Sequence, residues 1–235
     1  MVSARELKRQ ILAGLAAPNW EETLPKLASL GQQAISPLFS ALCNPVVQVR
    51  WRAVTAFGQV MKKIAETTPE KARVVMRRFI WSLNDESGGI GWGAPEAMAE
   101  IMTQSPLLAT EYHNHLLSYI HDAHNRPDCF LEHAPLRRGA VWGVGRLAEV
   151  RPELAQSAEA DLIHALDDCD RIIRAMAAWA CGLLELRSAL PQLQLFHADH
   201  SPVEIYRNRE LQIKTPAMLA EEAILRITGQ GPVTN

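Results

Sequence analysis

No apolar run in this sequence of 235 residues approaches the ~18 residues that a membrane-spanning helix needs. The sequence also lacks an excess of charge of one sign: 24 Lys and Arg nearly balance 26 Asp and Glu, for a formal net charge of −2. That balance argues against a protein that holds nucleic acid by bulk positive charge. The first residues lead into an amphipathic pattern rather than a secretory signal. We therefore expect a cytoplasmic protein that partners neither a membrane nor nucleic acid.

Cysteines are few and catalytic motifs are missing. None of the four cysteines forms a CxxC pair, and Cys43 and Cys181 lie within apolar helical patterns, which predicts reduced, buried thiols. The sequence has no HExxH, no phosphate-binding P-loop and no complete dinucleotide motif. We therefore predict no cofactor, and an enzymatic activity is less expected than a binding role. The 48% apolar content excludes a disordered chain.

What the sequence does contain is a repeat. Four segments align without gaps: 50–58, 91–99, 137–145 and 174–182. The fourth residue is always alanine, namely Ala53, Ala94, Ala140 and Ala177. The seventh and ninth residues are always Gly or Ala, and the eighth residues are Phe57, Met98, Val144 and Cys181. Small residues at these spacings predict helices that approach their neighbours closely while the larger eighth residues fill the seam.

A second apolar helix is predicted upstream of each copy. These helices are expected over 35–42, 72–83, 107–120 and 158–166. The unit is therefore a pair of helices joined by a loop, with a period of about 40 residues. One such pair cannot bury its apolar face alone, so neighbouring pairs must stack.

The loops and second helices carry a recognisable pattern. Asn44–Arg50 and Asp168–Arg174 combine an acidic or amide residue in the turn with Val/Ile-Arg, followed by spaced alanines and a terminal Gly. Asn84-Asp85 matches in the turn but is followed by Gly91 instead of Arg, and Arg137 follows a stretched turn. The sequence resembles HEAT repeats. That resemblance implies an all-α protein, a right-handed α-solenoid or α-α superhelix of about five helix pairs.

The resemblance implies a single repeat domain over residues 1–235. An N-terminal helical cap is expected over 1–31, the repeats over 32–228 and a loose tail over 229–235. Alternating apolar and polar residues on both sides of Arg207-Asn-Arg-Glu210 predict a short β-hairpin inserted in the last repeat.

A glycine-rich turn is the most distinctive segment. Asp85 and Glu86 begin it, Trp92 ends it, and Glu96 follows in the next helix. Long turns on rigid scaffolds often carry function, so these four residues are candidates for partner or ligand binding. The alternative is a purely structural turn whose glycines permit close helix contact.

Two tryptophans occupy equivalent repeat positions. The helical phase places Trp142 and Trp179 opposite the alanines, on the face that would line a concave groove, with Arg138 and Arg146 nearby. Exposed large aromatic residues mark interaction sites, so all four are partner-binding candidates. Two alternatives stay open: the tryptophans fill the interior of the stack, and Arg138 pairs with an acid on a neighbouring turn.

Histidines cluster between the second and third repeat copies. His113, His121 and His124 fall close enough in helical rotation to be weak candidates for a metal site. No cysteine lies at ligand spacing, so we predict a solvated polar face without a metal.

The sequence favours a binding or scaffold module that presents a concave groove to a protein or peptide partner. The alternative is an enzyme or ligand-binding protein of HEAT-like fold, either lyase-like or nucleic-acid-modifying, which would use the glycine-rich turn and the groove tryptophans. The repeats also resemble those of phycobilin lyase subunits. A homodimer is possible through an end repeat or through the hairpin edge.

Overall fold

The computed structural model of the protein describes residues 3–84, 91–122 and 129–229. Within these residues α-helices dominate, with one two-stranded sheet near the C-terminus. The all-α fold class with a small hairpin insert is therefore confirmed. No helix among the described residues is long and apolar enough to cross a membrane.

The elements follow one another as pairs of helices. The helices are α1 Ala4–Ala16, α2 Leu24–Leu30, α3 Gln32–Leu42, α4 Val47–Thr67, α5 Pro69–Leu83, α6 Ala94–Gln104, α7 Pro106–Ser118, α8 Ala134–Val150, α9 Pro152–Ala155, α10 Glu159–Ala165, α11 Arg171–Leu183, α12 Leu190–Gln194 and α13 Pro216–Thr228. The strands are β1 Val203–Arg207 and β2 Glu210–Lys214. Helices α3, α5, α7 and α10 are the predicted first helices of their pairs, and α4, α6, α8 and α11 are the second ones.

Helix ends follow the chemistry of the terminal residues. The Ser3 hydroxyl accepts a hydrogen bond from the Glu6 amide at the start of α1, and Asp170 accepts from the Ile172 amide at the start of α11. Each side chain satisfies an amide that has no partner inside its helix. Gly31 ends α2 with a φ of +53°, which glycine adopts without a Cβ clash.

The chain divides into two compact units, Met1–Tyr112 and His113–Asn235. This division does not test the prediction of a single domain over residues 1–235, which stays a prediction. The predicted cap corresponds to α1, α2 and a short 3₁₀ helix between them. Of the predicted tail, residues 230–235 lie outside the described residues.

The first unit is packed around three phenylalanines. Phe39 of α3, Phe57 of α4 and Phe79 of α5 form a cluster with ring centroids 4.5 to 5.2 Å apart. The planes of the Phe39 and Phe57 rings meet at 75° and those of Phe57 and Phe79 at 70°. These edge-to-face arrangements are favourable between aromatic rings.

Small residues set the helix contacts of the second unit. A Cβ built on Gly145 of α8 would lie 2.7 Å from the Trp179 ring of α11. A Cβ on Gly182 of α11 would lie 2.7 Å from the Cα of Ala223 in α13. The small ninth residue of the repeat therefore permits the close approach of α8 to α11 and of α11 to α13.

The aligned repeat positions share one environment. All four alanines at the fourth position are at most 1% exposed, and the larger residues at the eighth position are fully buried. This confirms that the repeat describes the packing of the second helices. The prediction of buried thiols holds for Cys181, where burial raises the pKa to about 12. The prediction is wrong for Cys43, which is exposed because α3 ends at Leu42 and Cys43 follows the helix.

Three of the second helices have an arginine in their first turn that forms hydrogen bonds with the preceding loop. Each donates to the backbone carbonyl six residues upstream, at 2.7 to 3.0 Å; they are Arg50, Arg137 and Arg174. Arg137 also pairs with Asp168 and Arg174 with Asp199, each at 3.1 Å. Both carboxylates lie in later loops, so these pairs connect successive repeats of the second unit.

Candidate functional site

The second unit buries both predicted groove tryptophans. Trp142 is 3% exposed and Trp179 is 6% exposed, with ring centroids 6.4 Å apart. The Trp142 Nε1 donates a hydrogen bond of 2.9 Å to the backbone carbonyl of Tyr206 in β1. The placement of the two indoles on an open groove is therefore wrong, and the alternative of an interior position describes the structure.

The physical reason is the hairpin. Strand β1 packs against α11 and accepts a hydrogen bond from the indole N–H of Trp142 on α8. The strand therefore covers the faces of α8 and α11 that a simple helical repeat would leave open. The same helical phase, applied to the first unit, would point Thr55 of α4 and Glu100 of α6 outward. They are 3% and 6% exposed.

The predicted arginines have partners on their own chain. Arg138 donates to Asp170 from both Nε and Nη2, at 2.9 and 2.6 Å, as in the alternative of a pair between neighbouring turns. Burial opposes ionisation of Asp170, yet hydrogen bonds from Arg138 and from two backbone amides keep its pKa below the ordinary value. Arg146 pairs with Glu149 one turn along α8, at 2.7 Å.

Glu96 lies in the first turn of α6. The residue keeps some contact with solvent, but its Oε2 atom is fully shielded and has no hydrogen-bond partner among the described residues. Burial raises the pKa of Glu96 to about 7, although a hydrogen bond from its own amide and the charge of Arg50 favour the carboxylate. Trp92, four residues earlier, is 43% exposed. Asp85 and Glu86 lie outside the described residues.

The histidine candidates do not come together in the described part of the chain. His121 Nδ1 lies 2.8 Å from Asp161 Oδ1, which is a pair rather than a ligand set. No group of three or more potential metal ligands occurs among the described residues. His124 lies outside them, and His113 is on α7.

Sequence reasoning missed an exposed surface on α5. Val74 is 54% exposed and Trp81 is 81% exposed, and seven residues of helix return almost to the same direction. Arg77 and Arg78 lie between them on the same side of the helix and are exposed. We refer to Val74, Arg77, Arg78 and Trp81 as the α5 face. Large exposed aromatic residues flanked by charge are typical of interaction surfaces.

The charge of α5 is unlike that of the whole chain. The helix holds four basic residues and one acidic residue, Glu70, in a protein with a net charge of −2. Arg77 pairs with Glu70 at 2.7 Å. Arg78 lies 3.9 Å above the ring centroid of Phe39 and forms no ion pair with a described carboxylate. The ring attracts the guanidinium, and because Arg78 is exposed its charge also stays accessible at the surface.

The sequence held a signal for this surface. The buried apolar residues of α5 recur with helical spacing: Ala72, Val75, Met76, Phe79 and Leu83. That spacing leaves Val74 and Trp81 on the opposite side of the helix. A search for residues off the core face would have found this surface, whereas a search for residues shared between repeats could not.

These observations define the class of protein as an α-helical repeat protein. The resemblance to HEAT repeats is confirmed: residues 134–184, which include α8 and α11, match the model of the HEAT-like repeat. A designed armadillo repeat protein solved in complex with the peptide (KR)4 is 20% identical, with a TM-score of 0.51, over 93% of this chain and 98% of that chain. At this identity the likeness describes the fold alone.

A curated relative shares part of the sequence. An uncharacterised protein of Archaeoglobus fulgidus is 30% identical over 115 residues, which are 49% of this chain and 54% of that protein. The matched part of the chain thus spans about half the length of the curated relative.

Proposed function

We propose that this protein is a HEAT-like binding module whose α5 face docks an acidic segment of a partner protein. The observation that carries the proposal is Trp81, an indole 81% exposed on a helix whose core-facing residues are all buried. Exposing so large an apolar side chain has a free-energy cost. Covering it with a partner would recover that free energy.

The charge of the α5 face favours an acidic partner. Arg78 keeps its charge at the surface above Phe39, and Arg77 pairs with the exposed carboxylate of Glu70. Indole and guanidinium groups are the side chains most enriched at the centres of protein interfaces. A partner segment with one apolar anchor and flanking carboxylates would complement both.

The fold supports a binding role. The designed armadillo repeat protein with the same fold holds a basic peptide, (KR)4. The basic character of α5 leads us to expect the opposite charge in the partner of this chain. A phosphate backbone is a weaker expectation, because the net charge of −2 repels it over longer distances.

The test is a comparative capture from cell extract, followed by titration of the captured protein. We expect the wild type to retain a partner through an acidic segment, and Trp81→Ala and Arg78→Glu each to weaken binding about tenfold or more. Val46→Ala is the control, since Val46 is also an exposed apolar residue of the first unit but lies outside α5. Equal retention by wild type and Trp81→Ala, or preferential binding of nucleic acid, would contradict the proposal.

A stability comparison separates lost contact from lost folding. Trp81→Ala should change the free energy of unfolding by less than about 0.5 kcal/mol, as exposed substitutions do. Trp142→Ala should cost about 3–5 kcal/mol, because it empties an interior site and leaves the Tyr206 carbonyl without its donor. Denaturant titration of both variants measures the difference.

A further inference from the structure

The β-hairpin of the second unit has a defined register. Asn208 and Arg209 form its two-residue turn, and both have positive φ values, 54° and 63°, as a type I′ turn requires. The partners closing the turn are Arg207 and Glu210. In such a hairpin the closing pair is hydrogen-bonded and the pairs then alternate, so the next hydrogen-bonded pair is Ile205 with Gln212.

This alternation decides which backbone groups face away from the hairpin. On β1 they belong to Glu204 and Tyr206, and the Tyr206 carbonyl accepts the indole N–H of Trp142, which covers that edge. On β2 they belong to Leu211 and Ile213. No backbone hydrogen bond links either residue to another element in the described part of the chain. The outer edge of β2 is therefore open.

The hairpin that carries the open edge is held in place by the burial of β1 and by contacts with α13. Val203 and Ile205 are 3% and 0% exposed, so β1 is anchored in the core. Glu222 of α13 accepts hydrogen bonds of 2.7 Å from both Arg207 and Lys214, which fixes the two strands to the last helix. Ile213 itself is 63% exposed. A rigid edge with an exposed apolar residue is a template for another strand.

We propose that two copies of this chain associate through antiparallel pairing of their β2 edges, centred on Gln212. In this register Leu211 lies opposite Ile213 of the second copy, and both residues have outward-facing backbone groups, so the two symmetric pairs close four hydrogen bonds. The isoleucine that is exposed in one chain then packs beside the leucine of the other. The result is a four-stranded sheet across the dimer.

Charge complementarity selects the second copy as the occupant. Centring the pairing on Gln212 sets Glu210 opposite Lys214 at both ends of the strand. These are non-hydrogen-bonded positions, where facing side chains approach most closely, and opposite charges there are favourable. Moving the register by two residues in either direction breaks both charge pairs. The edge is thus complementary to itself, as a two-fold interface requires.

Sedimentation of the full chain over a concentration series up to ~0.3 mM tests the proposal, because a short edge is expected to give a weak dimer. We expect reversible dimerisation of the wild type and loss of the dimer in Ile213→Pro. Proline at this position removes an outward N–H and spares the hydrogen bonds inside the hairpin. Met218→Ser is the matched control, since Met218 is exposed but lies outside the strand, and it should dimerise as the wild type does.

A charge reversal at Glu210 then tests the register. Glu210→Lys should weaken self-association about tenfold, because it places like charges opposite one another at both ends, and it leaves the contact between Lys214 and Glu222 in place. Glu210→Gln removes the attraction without adding a repulsion, so it should weaken self-association less. A wild type that stays monomeric, a dimeric Ile213→Pro, or a Glu210→Lys variant that associates as the wild type does would each overturn the proposal. Trp81→Ala should dimerise as the wild type does, because Trp81 lies outside the hairpin. A failure to dimerise would therefore not count against the proposed function of the α5 face.

Discussion

The tryptophans show how a residue's surroundings decide its role. Trp142 donates its N–H to a strand and is 3% exposed, whereas Trp81 is 81% exposed. An indole buried with its N–H satisfied contributes to stability, and an indole left in water is available to a partner. The same residue type therefore serves packing in the second unit and, in our proposal, recognition in the first.

Glu96 makes the stability of the protein depend on pH. Its pKa is raised to about 7 by burial, while in the unfolded chain the pKa of a glutamate lies near its ordinary value of 4.5. The folded state therefore binds the proton more tightly, and stability falls as the pH rises from 4.5 through 7. The loss is about 3 kcal/mol on the scale of 1.36 kcal/mol per pKa unit. Denaturant titrations at pH 5 and pH 8 measure it.

Two substitutions isolate this effect. Glu96→Gln removes the titrating group, so the unfolding free energy should become nearly flat over this pH range. Glu66→Gln is the control, because Glu66 lies exposed on α4 and its replacement should preserve the slope. A wild type that becomes more stable between pH 5 and pH 8 would contradict the assignment to Glu96.

Among the elements, the close contact between α11 and α13 depends on glycine. The Cα of Ala223 lies 2.7 Å from where a Cβ on Gly182 would stand, and a backbone atom cannot rotate out of the way. Gly182→Ala should therefore force α11 and α13 apart and cost about 1–3 kcal/mol, as overpacking does. We expect this loss of stability even though alanine has a higher helix propensity than glycine.

A compensating variant shows whether contact is the cause. Ala223→Gly removes the Cβ that also lies 2.7 Å from the added methyl, so the double variant Gly182→Ala/Ala223→Gly should recover part of the melting temperature. Recovery is only partial because the Cα remains. If Gly182→Ala melts at or above the wild-type temperature, the two helices are less closely held than the distances indicate.

At the scale of the whole molecule, the chain consists of two compact units, each with its own buried core. In a repeat protein each repeat contacts only its neighbours, so the effect of a substitution is expected to stay near its own repeat. Phe79→Ala empties a fully buried site among the three phenylalanines of the first unit, at a cost of about 3–5 kcal/mol. Hydrogen exchange should increase in α3, α4 and α5, while α8 and α11 keep most of their protection.

Exchange measured by mass spectrometry resolves these helices. Val144→Ala, at a fully buried position of α8, is the reciprocal variant and should raise exchange in α8 and α11 instead. A uniform increase along the chain in both variants would mean that the two units unfold as one.

Much of the fold was predictable because it rests on local spacing. The alanines at the fourth repeat position and the larger residues at the eighth indicated which helix faces pack, and all are buried. The hairpin was predictable for the same reason, since alternation flanks the turn at Asn208 and Arg209. The sequence left two placements open for Trp142 and Trp179, an open groove or the interior of the stack. Helical phase shows which residues share a face but not what lies against that face, and both indoles are buried.

The sequence by itself determined the helix pairs, their period and the small residues through which they touch, because these depend on residues a few positions apart. Only the tertiary structure decided which faces stay open. Strand β1 covers Trp142 although 64 residues of sequence separate Trp142 from its hydrogen-bond partner. Arg137 pairs with Asp168 in the loop of the next repeat. Trp81 stays exposed to water because no residue in the described part of the chain packs over it. Such coverage depends on segments distant in the chain, and no local pattern records it.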